Sequence, residues 1–121
     1  MLNRYNGDSG TNYTFHALYS QGSNALAYSA TGATSATISG LAANTQTANT
    51  FGVGIIDILD YTNTNKYKTT KMFGGTINVG GFEIDVDSSL WLNTAAITSI
   101  NCAMSGTMQQ HTTISLYGVK G

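Results

Sequence analysis

Three carboxylates occupy alternate positions of one short stretch: Glu83, Asp85 and Asp87, with Ile84 and Val86 between them. Alternation with a period of two is typical of a β-strand, so the three acidic side chains are expected to share one face. Carboxylate oxygens are calcium ligands. However, successive side chains on one strand face lie about 7 Å apart, and calcium would need further ligands from loops. We therefore expect no metal site, but a hydrated acidic face opposite an apolar one.

Three of the five basic side chains also lie close together, at Lys66, Lys68 and Lys71. A nucleic-acid site needs a basic face with interleaved aromatic rings. In a strand, Lys66 and Lys68 point to one side and Lys71 to the other, and the net charge of −1 gives no bulk attraction to nucleic acid. We expect a solvated hairpin whose lysines discourage unwanted strand pairing. Asp57 and Asp60 precede it, close enough for cross-strand pairing.

The other side chains that could take part in catalysis or metal binding are isolated from one another in the sequence. His16 and His111 do not have the spacing of a metal site. The stretch "NGDSG", residues 6–10, resembles half a calcium loop but lacks the downstream Glu, and its Asn-Gly pair is a strong turn signal. The single Cys102 reads as a small buried apolar side chain, and no nucleophile elbow is present. We expect no catalytic residue, no cofactor and no bound metal.

Composition limits the class of protein that can position these groups. The 121 residues suit a single domain spanning 1–121. Charged residues make up only 9% of the chain, against about 25% in typical soluble proteins. So little charge gives weak colloidal protection, which indicates that partners cover much of the surface. Neither a signal peptide nor an apolar run of membrane-spanning length is apparent, so we expect no membrane partner.

The sequence predicts β-strands almost throughout. No stretch has apolar residues that repeat with the period of about 3.6 residues typical of a helix. Residues 21–50 are expected to hold one or two short strands within long loops. This pattern predicts an all-β fold, an antiparallel β-sandwich, rather than alternating strands and helices. The predicted strands, bounded by Gly and Asn clusters, are Asn12–Tyr19, Phe51–Asp60, Lys66–Phe73, Phe82–Leu92, Ala96–Met104 and Thr112–Val119. The side chains expected to be buried, in the core or at a subunit contact, are Phe15, Ile56, Ile58, Trp91, Ile100 and Leu116.

Three blocks of the sequence resemble a recurrent set of bacteriophage virion proteins. They are "RYNGDSGTNYTFHAL" (4–18), "GIIDILDYTNTNKYKTTKMFGG" (54–75) and "ISLYGVKG" (114–121), and together they extend the resemblance over nearly the whole chain. The resemblance implies a jelly-roll-like β-sandwich that acts by binding and has no catalytic residues. Such proteins usually have further strands before the first block, whereas only residues 1–3 precede it here. We expect either a minimal version or an edge supplied by a neighbouring subunit.

The resemblance, together with the composition, predicts a capsid decoration (cement) protein on the outer surface of a phage head, made in the host cytoplasm. The expected partners are further copies of the chain, as a homotrimer, and the major capsid protein, because capsids offer three-fold positions. The alternative is a tail fibre tip or receptor-binding module whose partners are tail proteins or host surface glycans. Candidate interface residues are Tyr5, Tyr13, Tyr28, Phe73 and Trp91. Candidate contact loops are residues 30–40 and the hairpin tip Thr62, Asn63, Thr64 and Asn65.

Overall fold

A computed structural model describes residues 2–37, 41, 48–78, 81–104, 108 and 110–119 of the chain (for Leu2 and Asn78, the backbone alone). These residues form a β-sandwich of two antiparallel sheets and contain no helix, which confirms the predicted fold class. None of them therefore provides a helix that could cross a membrane. The strands are β1 (Leu2–Tyr5), β2 (Tyr13–Gln21), β3 (Asn24–Ala33), β4 (Ala36–Thr37), β5 (Val53–Ile58), β6 (Lys68–Asn78), β7 (Gly81–Trp91) and β8 (Ile100–Ala103).

The smaller sheet has the strand order β4-β1-β8, and the larger has the order β3-β2-β7-β6-β5. Strands close in sequence form the pairs β2–β3, β5–β6 and β6–β7. Two pairs join distant parts of the chain: Tyr5 lies opposite Ile100, and Tyr13 opposite Trp91. The β2–β7 pair is thus nested inside the β1–β8 pair, as suits a jelly-roll-like sandwich.

The core lies where the small sheet covers one end of the large one. Tyr5, Tyr13, Ala36, Trp91 and Ile97 form a buried apolar cluster there. The ring centroids of Tyr5 and Trp91 are 5.6 Å apart, and those of Tyr13 and Trp91 are 6.4 Å apart in a stacked arrangement. Because aromatic rings bury a large apolar area, these three side chains hold the two sheets together.

Strand bounds differ most from the prediction where the sequence is rich in small polar residues. Within residues 21–50, β3 is ten residues long and pairs along most of β2, so residues 24–33 are more regular than expected. The expected contact loop at 30–40 falls partly in β3 and β4, and residues 38–40 lie outside the described part of the chain. By contrast, β7 matches the predicted strand Phe82–Leu92 to within one residue at each end.

The predicted strand over residues 112–119 is wrong. In the structure none of these residues belongs to a strand, and all of them are exposed. Leu116, expected in the core, is 82% exposed. The alternation of Ile114 and Leu116 favours an extended strand, but a strand forms only beside a partner, and no described strand pairs with this segment.

Candidate functional site

Strand β7 carries two acidic side chains inside the sandwich. Asp85 is fully buried and Asp87 nearly so, whereas Ile84 and Val86 are half exposed. The shared face of the carboxylates is confirmed, but the expected hydrated acidic side is wrong. The reason is the position of Trp91, which lies an even number of residues after Asp85 and so shares its face. Packing of the Trp91 ring into the core turns the carboxylates inward.

Burial changes the chemistry of Asp85. Neither of its carboxylate oxygens has a hydrogen-bond partner among the described residues. Burial, and then the nearby charges of Glu83 and Asp87, raise the pKa of Asp85 to about 7. No group of His, Cys, Asp and Glu side chains in the described ranges is arranged to hold a metal ion. Burial and the two neighbouring carboxylates therefore favour the protonated form of the Asp85 carboxyl group.

Lys68 is also buried, so the expectation of three solvated lysines is wrong for this residue. It lies opposite Trp91 in the β6–β7 register and faces inward. Its Nζ donates hydrogen bonds to the carbonyl oxygens of Lys66, at 2.8 Å, and Thr94, at 3.0 Å. Lys66 and Lys71 are exposed, and Lys71 lies opposite Asp57, as the predicted cross-strand pairing requires. The lysines do not form one basic surface.

The "NGDSG" stretch is a turn, as predicted. Asn6 and Gly7 both have positive φ angles, 53° and 71°, which the Asn-Gly pair accommodates readily. The turn is organised around Asp8, whose carboxylate accepts hydrogen bonds from Trp91 Nε1 at 2.7 Å, Asn12 Nδ2 at 3.0 Å and the Gly10 amide at 2.8 Å. These bonds, led by that from Trp91, lower the pKa of Asp8. The motif therefore has a structural role.

The Asn6 side chain ties the same turn to the segment between β7 and β8. Its Oδ1 accepts hydrogen bonds from the amides of Thr98, at 2.8 Å, and Ser99, at 3.2 Å. Its Nδ2 donates to the carbonyl oxygen of Ala96 at 2.8 Å. One side chain thus substitutes for strand pairing where β1 ends.

Of the five aromatic residues suggested as interface anchors, three lie in the core. Tyr5, Tyr13 and Trp91 are almost completely buried within the chain, so this structure closes them to a partner. Tyr28 and Phe73 are exposed, and the interface role stays a prediction for them. Tyr28 lies on β3, at the edge of the large sheet, and Phe73 lies on the face turned away from the small sheet.

The outer face of the large sheet, turned away from the small sheet, carries a continuous row of apolar side chains. Leu18, Val86, Phe73 and Ile55 are successive cross-strand neighbours over β2, β7, β6 and β5. We call these four residues the apolar row. Three further apolar side chains flank it on the same face, and all seven are between 50% and 73% exposed. The flanking residues are Val53, Phe82 and Ile84.

Two open depressions lie on this outer face. The first, of about 300 Å³, is lined by Val53, Ile55, Phe73 and Ile84 around Gly75, where the missing side chain leaves a hollow. The second has a volume of about 510 Å³. The second is lined by two residues of the apolar row, Leu18 and Val86, and by a parallel polar set, His16, Ser88 and Lys71. The face therefore combines an apolar stripe with an adjoining polar one.

The hairpin tip, predicted as a contact loop, is an ordered and mostly exposed turn. The Asn63 Oδ1 accepts a hydrogen bond from the Asn65 amide at 2.8 Å, and the Asn63 amide donates to the carbonyl oxygen of Asp60 at 2.9 Å. Tyr61 and Tyr67 flank the tip and are about half exposed. The tip thus presents two aromatic rings beside hydroxyl and amide groups.

Comparison with known proteins adds no assignment. No protein-family model matches the chain, and neither does any curated protein or solved structure. The features of the chain that bear on function are therefore the three sequence blocks and the surfaces described above. Sequence reasoning missed the outer face, although the alternation of Phe82, Ile84 and Val86 was the signal for it.

Proposed function

We propose that this protein is a noncatalytic structural protein that acts by binding other protein surfaces, and specifically a decoration protein on the outside of a bacteriophage head. The observation that carries the proposal is the exposed apolar row on the outer face of the large sheet. Solvent normally meets polar side chains on the open face of an antiparallel sheet. A contiguous apolar surface in that position is typical of a protein interaction site.

The size of the surface supports a specific contact. The seven exposed apolar side chains offer on the order of 700 Å² together, since a large aromatic side chain alone spans about 150–250 Å². A standard protein interface buries about 800 Å² on each partner. The apolar row and its three flanking residues can thus form the centre of such an interface, with Lys71 and Asp57 at its polar rim.

The mechanism that we propose is thermodynamic. A contact that exists only in the assembled shell stabilises that shell, because binding to one state favours it by mass action. Repetition over the lattice multiplies a modest contribution from each copy. The major capsid protein is the partner, and a homotrimer matches the three-fold positions of a capsid.

The experiment is a sedimentation assay with expanded phage heads. Phe73→Ser removes the ring at the centre of the apolar row, and Phe51→Ser removes a more exposed ring that lies outside the sheet. We expect the first variant to bind heads at least about tenfold more weakly, a loss of about 1.4 kcal/mol, and the second to bind like the parent. Unchanged binding by Phe73→Ser would rule out this face as the docking surface.

A second candidate function is a tail fibre tip or receptor-binding module. The exposed rings of Tyr61 and Tyr67 beside residues 62–65 favour it, because aromatic rings with adjoining hydroxyl and amide groups suit glycan binding. The two functions differ in where the protein is found. Hundreds of copies over the head, counted in a cryo-EM map of the virion, support decoration, and a few copies at the tail support adhesion.

A further inference from the structure

The segment of residues 112–119 is built like a strand but pairs with no other strand of the described chain. All eight residues are exposed, and Leu116, Tyr117 and Val119 are each more than four-fifths exposed. Burial of such side chains removes apolar surface from water, which stabilises a folded protein or an interface. The segment contains no charged residue. It thus has the composition of a buried strand without the burial.

An open edge of the large sheet offers a matching surface. Among the described residues, β5 pairs with β6 on one side only and ends the sheet. Its outer-face side chains Val53 and Ile55 are exposed. The unpaired amides and carbonyls of an edge strand bind an added strand readily.

The side-chain pattern of the segment fits this edge. Ile114 and Leu116 stand two residues apart, as Val53 and Ile55 do, so a strand beside β5 can place all four on the outer face. Leu116 would then lengthen the apolar row beyond Ile55. The opposite edge, β3, presents only Ala25, Ala27 and Ser29 on that face, and so offers much less apolar area.

We propose that residues 112–119 of one copy add as a sixth strand beside β5 of a second copy. Both the segment and the edge are open in the same chain, so a second copy satisfies both at once. The contact is head to tail, and such contacts close into a ring when the rotation between copies allows it. The inference rests on the proposed function, because it names the contact through which the structural protein assembles with itself.

The first test is a disulfide scan in a Cys102→Ser background, since Cys102 is the chain's single cysteine. Leu116→Cys protein is mixed in turn with protein carrying one cysteine on the outer face of β5, at position 53, 55 or 57, and then oxidised. Disulfides require Cα atoms within about 7 Å. We expect a linked dimer for at least one of these positions.

The matched control places the cysteine on β3, at position 25, 27 or 29, which has the same face but the opposite edge. We expect no linked dimer from these three. Linkage to β3 in place of β5, or to neither strand, overturns the proposal. Melting temperatures of all single variants confirm that each is folded before mixing.

The second test separates this inference from the proposed function. Light scattering gives the mass of the full chain and of a chain ending at His111, and both are tested for binding to expanded heads. We expect the full chain to be oligomeric and the shortened chain monomeric. A shortened chain that keeps its full oligomeric mass overturns the strand exchange, whether or not it binds heads. Linked copies that do not bind heads overturn the head assignment and leave the exchange standing.

Discussion

Trp91 Nε1 donates a 2.7 Å hydrogen bond to Asp8 Oδ2 across 83 positions of sequence. The bond joins the first turn of the chain to the last strand of the large sheet. It satisfies the one polar group of a buried indole ring, which otherwise carries a desolvation cost. The turn motif and the aromatic core therefore stabilise each other.

Replacing Asp8 tests this relationship. Asp8→Ala leaves the indole N–H without its acceptor and removes the bonds to Asn12 and Gly10, so we expect a loss of about 1–3 kcal/mol of unfolding free energy. Urea denaturation measures it. Asp8→Asn is the matched control, since it keeps an oxygen acceptor and should lose less. Equal losses in the two variants would contradict the role of the indole bond.

Lys68 gives a second prediction. Lys68→Ala removes a buried donor from the carbonyl oxygens of Lys66 and Thr94, and it leaves a void beside Trp91, so we expect a loss of about 2–4 kcal/mol. Lys66→Ala, on an exposed neighbour, should change stability by less than about 0.5 kcal/mol. Thermal unfolding of both variants tests this expectation. Similar melting temperatures would show that the Lys68 side chain is not buried in the folded protein.

The raised pKa of Asp85 leads us to expect that stability falls as the pH rises. Its pKa of about 7 in the folded protein exceeds the ordinary value of about 3.9 in an unfolded chain. The folded state therefore binds the proton more tightly than the unfolded state does. The contribution of Asp85 to the unfolding free energy is fully present below pH about 4, and it is lost as the pH rises through 7.

The measurement is unfolding free energy between pH 4 and pH 8. Asp85→Asn should flatten the decline over this range, whereas Asp57→Asn, at an exposed position of β5, should keep it. A parent protein whose stability rises toward pH 8 would contradict the inward position of the Asp85 carboxyl group.

Gly74 is predicted to tolerate no side chain. A Cβ at this position would lie 2.5 Å from Met72 Cε and 3.1 Å from the Val53 carbonyl oxygen. The methionine can move but the β5 backbone cannot, so Gly74→Ala should cost about 1–3 kcal/mol. At Gly118 a Cβ would meet nothing within 4 Å, and Gly118→Ala serves as the control. Comparable stability of both variants in chemical denaturation would show that β5 is free to shift.

The sequence predicted which residues share a face better than it predicted which face is covered. The alternation of Asp85 and Val86 assigns them to opposite sides of β7 without any knowledge of the fold. Which side is buried depends on where the small sheet packs, and Trp91 decides that through contacts with Tyr5 and Tyr13. The usual rule that apolar residues lie inside gives the wrong answer for β7, where Val86 is exposed on the outer face and Asp85 is buried.

The burial of Lys68 and the exposure of Leu116 are both opposite to what the sequence predicts. A lysine is rarely fully buried, and nothing in its local sequence marks the two carbonyl oxygens that accept its hydrogen bonds. Leu116 lies in a good strand pattern, but its segment pairs with no described strand of its own chain. In both cases the local sequence does not show which partner the fold brings to the side chain.

The pairing of β1 with β8 also sets the order of events during synthesis. Tyr5 cannot meet Ile100, its partner in the register, until β8 has left the ribosome. At about 5–20 residues per second, that partner is made on the order of ten seconds after Tyr5 itself. Contacts between such distant residues also slow folding, since a long loop must close before they form. The nascent chain therefore carries its first strand without β8 and the Asp8 turn without Trp91 for seconds, and the core closes only after translation has passed β8.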